Sequence, residues 1–63
     1  MKRRDLLRLL SQHAQENGLS ITETEGARHT KVTVGSRRTV VPRHREINDA
    51  TARSILRQIG VEP

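Results

Sequence analysis

The sequence predicts an α+β fold: a helix, three antiparallel strands and a second helix, with both helices on one face of the sheet. Three observations predict it. Leu6, Leu9, Leu10, His13 and Ala14 recur at helical spacing near the start, and Ala52, Ile55, Leu56 and Ile59 do so near the end. Between these stripes Val32 and Val34 alternate with polar residues, the period of a half-buried strand. Gly35-Ser36 then separates that run from residues 37–41, and two residues are the length of a tight hairpin loop.

The first helix is expected over residues 4–17. Asp5 lies in its first turn, where a carboxylate suits the helix dipole, and Gly18 after Asn17 stops it. Lys2, Arg3 and Arg4 stand at the positive end of that helix and read as solvated. Residues 19–25 alternate as a first strand, with Leu19 and Ile21 inward. Gly26-Ala27 turns the chain into the central hairpin. A two-residue loop sets Val34 opposite Arg37, Thr33 opposite Arg38, Val32 opposite Thr39, Lys31 opposite Val40 and Thr30 opposite Val41. Directly opposed side chains share a face. One face then holds Thr30, Val32, Val34, Thr39 and Val41; the other holds Lys31, Thr33, Arg38 and, by parity, His29. Pro42 closes the hairpin, because it cannot donate to a ladder. Residues 42–46 form a basic loop. Asn48 is a plausible N-cap for the last helix, which Gly60 ends. Val61, Glu62 and Pro63 are a short tail.

Sixty-three residues make one small domain, which buries only about 60% of the surface of its unfolded chain. With no Phe, Trp or Tyr, the core must be aliphatic. With no Cys, a disulfide framework and a thiolate metal site are both excluded. Twelve Lys and Arg against seven Asp and Glu give a net charge of +5, which in so short a chain points to a polyanion or an acidic protein as partner. No apolar run is long enough for a membrane span or a signal peptide, so no membrane partner is expected and the default location is the cytoplasm.

His29 is the leading candidate for chemistry. It is set beside positive charge on the face away from the valines, where a phosphate could lie. A neutral imidazole can take a proton from a ribose 2′-hydroxyl, whose oxygen then attacks the adjacent phosphorus. Arg28, Lys31 or Arg38 could offset the charge that develops. The plainer reading is a surface histidine on an open sheet. His13 falls on the apolar stripe of the first helix and reads as a boundary core residue rather than a base. His44 lies between Arg43 and Arg45, in a loop that either contacts phosphate or is only a solvated turn. The three histidines are far apart in sequence, so no metal and no other cofactor is expected. Without an aromatic residue to stack a base, RNA binding would rest on charge and shape.

The chain, one domain over residues 1–63, resembles nearly end to end the HicA family of toxin–antitoxin toxins. The resemblance rests on the start Met1-Lys-Arg-Arg-Asp-Leu-Leu7, on Glu25-Gly-Ala-Arg-His-Thr30, on Val41-Pro-Arg-His-Arg-Glu-Ile47 and on Ala52-Arg-Ser-Ile-Leu-Arg-Gln-Ile-Gly60. The second segment is similar to the family's Gly-x-His element, which carries its active histidine. The resemblance implies a double-stranded-RNA-binding-domain-like α-β-β-β-α fold. It also implies a metal-independent mRNA endoribonuclease with His29 as catalytic base; the RNA contact surface expected from the placement of charge is Arg28, Lys31, Arg38, Arg43, His44 and Arg45. A HicB-type antitoxin would be the protein partner, so that the toxin is a monomer when free and a hetero-oligomer when neutralised. The alternative is a module that binds RNA, or only its antitoxin, without cutting.

Overall fold

The computed structural model describes residues 1–61; Glu62 and Pro63, the end of the expected tail, lie outside the described residues. The order is α1 (Arg3–Glu16), β1 (Ile21–Glu25), β2 (His29–Val34), β3 (Arg37–Pro42) and α2 (Asp49–Ile59). The strands form one antiparallel sheet with β2 in the middle. This is the α-β-β-β-α arrangement that the sequence predicts.

The central hairpin has the expected register, from Val34 opposite Arg37 to Thr30 opposite Val41. Its turn works because Gly35 takes a φ of +59°, while no residue other than glycine has positive φ among the described residues. A positive φ at the first loop position alone is the type II′ pattern, whose twist matches that of the strands. Val32, Val34 and Val41 meet Leu6, Leu10 and Ala14 of α1 and Ala52, Ile55 and Ile59 of α2 in one buried core. Both helices therefore cover the valine face, and the face bearing Lys31 and Val40 is open.

Three expectations about the core need correction. Leu9 is 36% exposed, because the buried stripe of α1 centres on Leu6, Leu10 and Ala14 and Leu9 lies round the helix from it. Leu19 is 40% exposed and precedes β1. Its N–H donates to the Ala14 carbonyl (2.8 Å), so it still belongs to the helix exit. Its side chain lies over the hairpin turn, where a Cβ on Gly35 would stand 3.2 Å from Leu19 Cδ2. Leu56 is only half-buried at the edge of the core. Ile47, which follows the basic loop and lies in neither helical stripe, is a core residue at 3% exposure. It is drawn in by its N–H, which donates to the Met1 carbonyl (2.8 Å).

The N-termini of both helices lie at one end of the molecule. The Arg3 N–H donates to the Arg45 carbonyl (2.9 Å), and the Met1 ammonium stands 3.7 Å from the Asp49 carboxylate at the start of α2. The loop between β1 and β2 and the loop after β3 occupy the same end.

Candidate active site and nucleic-acid interface

The site is built on the short loop that joins β1 to β2. The ladder between these strands closes at Glu25 opposite Thr30. Within the loop the Gly26 N–H donates to the His29 carbonyl (2.8 Å). The two backbones approach so closely that a Cβ on Gly26 would stand 2.9 Å from that same oxygen. Glycine at position 26 is thus a condition for the loop that presents His29.

His29 is exposed and opens β2, opposite Pro42. Its place in the alternation of β2 sets it on the open face with Lys31, away from buried Thr30, Val32 and Val34. Lys31 follows it by one period along the same face. Arg38 shares the face but not the neighbourhood. Its partner is Thr33, four residues along β2 from His29, which is about 13 Å at the rise of a strand. The sequence reading set both cations beside the imidazole; the register leaves only Lys31 there. Lys31 and Arg38 together line a concavity of about 850 Å³ that runs from Thr24 across Val40 to Ser54 and Gln58 of α2, and His29 does not border it.

Arg28 is exposed in the loop itself. Arg43 is tied to that loop. Its Nη1–H donates to the Gly26 carbonyl (2.9 Å), its backbone N–H donates to the Arg28 carbonyl (3.2 Å), and its Nε lies 3.5 Å from Glu25 Oε2. Glu25 is the hub of a wider network. Its carboxylate accepts from the Thr30 hydroxyl (3.2 and 3.3 Å) and stands 3.9 Å from Arg3 Nη2. Arg3 donates from Nη2 to the Thr30 hydroxyl and from Nε to the Pro42 carbonyl (3.2 Å). Arg3, expected to be solvated, is only 23% exposed because a carbonyl and a hydroxyl of the sheet receive it. Ion pairs this open to water contribute about 0–1 kcal/mol each, so the network fixes geometry more than it adds stability.

His44 and Arg45 are exposed in the loop after β3. Arg45 joins Lys2, Arg3 and Arg4 in a groove of about 250 Å³ that no carboxylate lines. The sequence reading took the three cations at the start of α1 as solvated and gave them no part in the site. The run was visible, but its meeting with residue 45 depends on the long-range path of the chain. His13 is half-buried near the other end of α1 and contacts Asn17, as a boundary residue would. Among the described residues no three His, Cys, Asp or Glu side chains gather as a metal-ligand group.

The family model described as the HicA toxin of bacterial toxin–antitoxin systems matches residues 3–61. No curated protein and no solved structure matches the chain.

Proposed function

The chain belongs to the HicA family of bacterial toxin–antitoxin toxins, and from that premise we propose that it cleaves mRNA in the cytoplasm without a metal, with His29 as the general base. The observation that carries this reading is the setting of His29. It is an exposed imidazole at the start of the central strand, on the sheet face that no helix covers, with Lys31 and Arg28 as near neighbours.

The imidazole accepts the proton of a ribose 2′-hydroxyl. The freed oxygen forms a bond to the adjacent phosphorus, and the bond from phosphorus to the 5′-oxygen of the next nucleotide breaks. The products are a 2′,3′-cyclic phosphate and a 5′-hydroxyl, the leaving oxygen taking its proton from the imidazolium or from water. Arg28 and Lys31 offset the charge that builds on the equatorial oxygens. Arg38, His44 and Arg45 contact phosphates away from the cut. The cognate antitoxin, a HicB-type protein, covers the open face, and the free toxin is a monomer.

The test uses an RNA with a single 2′-deoxy nucleotide at the cut site. The protein should cut the all-ribose strand in EDTA and leave the substituted one whole at that position. Cleavage of the deoxy strand at the same bond would remove the 2′-oxygen, and with it the role of His29, from the reaction.

A further inference from the structure

We infer that Arg43 is a positioning residue for His29 and not a contact for RNA phosphate. This rests on the reading of His29 as the base. The sequence assigns Arg43 to RNA because it is a cation in a basic loop. Its guanidinium, however, already has partners on two sides. Nη1 holds the Gly26 carbonyl (2.9 Å), and Nε faces the Glu25 carboxylate (3.5 Å). The Gly26 N–H in turn holds the His29 carbonyl (2.8 Å). Arg43 is therefore joined to His29 through one intervening residue, Gly26. Glu25 orients the guanidinium, and with Nη1 and Nε both engaged Arg43 is less free than its neighbours to grip a phosphate. Thr30 and Arg3 hold Glu25 from the other side. The planar guanidinium meets the Gly26 carbonyl and the Glu25 carboxylate with two N–H groups held in a fixed fork, which an ammonium on a flexible stem does not provide.

This separates two roles that alanine would confuse. Arg43→Lys keeps the charge and removes the two-sided grip. Single-turnover cleavage at saturating protein should fall by about 10²-fold, the cost of misplacing a reacting group by about 1 Å. RNA affinity, measured in the His29→Ala background, should stay within a factor of about two, since the phosphate contacts are unchanged. Glu25→Gln, which loosens the grip from its other end, should reproduce the split. Amide exchange at Gly26, read in the same variants, should quicken roughly tenfold as its bond to His29 loosens. A fall in affinity that accounts for the lost rate would make Arg43 an RNA ligand and overturn the proposal. So would an unchanged rate, or unchanged exchange at Gly26. If the wild-type protein cuts no RNA, the exchange measurement decides the positioning role alone, and the nuclease reading fails separately. If Arg43→Lys does not fold, Glu25→Gln carries both measurements.

Discussion

Gly26 shows how one missing atom shapes the site. A methyl group there would press on the His29 carbonyl at 2.9 Å, so Gly26→Ala must open the loop. Cleavage should fall by about 10-fold or more while the melting temperature drops by only a few degrees, since the loop lies outside the core. A kinetic comparison with the unsubstituted protein, paired with a thermal melt, checks both halves. Gly26 was legible as a turn residue, but its tight approach to residue 29 was not. The same holds for Arg3 and Arg43. Their types and positions are plain in the sequence, yet their partners are the carbonyls of Pro42 and Gly26. Backbone carbonyls carry no residue-specific signal, so both arginines read as solvated or RNA-facing cations. His29 was placed correctly because parity along a strand is local information. The distance of Arg38 from it follows from the same register and could have been read there.

At the scale of the elements, local patterns carried most of the fold. A two-residue turn fixes the pairing of every residue in the hairpin, and the observed register follows. The Asn48 cap is also as read: its Oδ1 accepts from the Thr51 N–H (2.8 Å). Asn48→Ala should cost about 1 kcal/mol, the usual worth of such a cap. The helical stripes were right in period but wide by one residue. Leu9 fits the spacing and is exposed, because which arc of a helix is buried depends on the sheet beneath it. Ile55 and Leu56 make the point measurable. Ile55 is 3% exposed and touches the valine face, whereas Leu56 is only half-buried. Ile55→Ala should cost about 2–5 kcal/mol, enough to unfold so small a domain, and Leu56→Ala distinctly less. Urea titrations of the two variants test the order, and equal losses would contradict the packing described.

Over the whole molecule, the helices keep the aliphatic core on one side and leave the other side of the sheet free. The loops bearing Arg28 and Arg45, and the starts of both helices, share the end where His29 sits. With no aromatic residue to stack bases, affinity for RNA should come from ion release. Four phosphate contacts from Lys or Arg, at Arg28, Lys31, Arg38 and Arg45, predict that log affinity falls with log salt at a slope of roughly −3. Binding isotherms at several salt concentrations measure it, and a slope near zero would rule out this mode. The central claim is that His29 moves the proton that starts the cut. Single-turnover cleavage by His29→Ala in EDTA, with protein in excess over RNA, tests it most directly. The account predicts a rate lower by about 10²–10⁴-fold with affinity unchanged, since the substitution removes a proton acceptor and no phosphate contact. Cleavage by the alanine variant at the wild-type rate would contradict it.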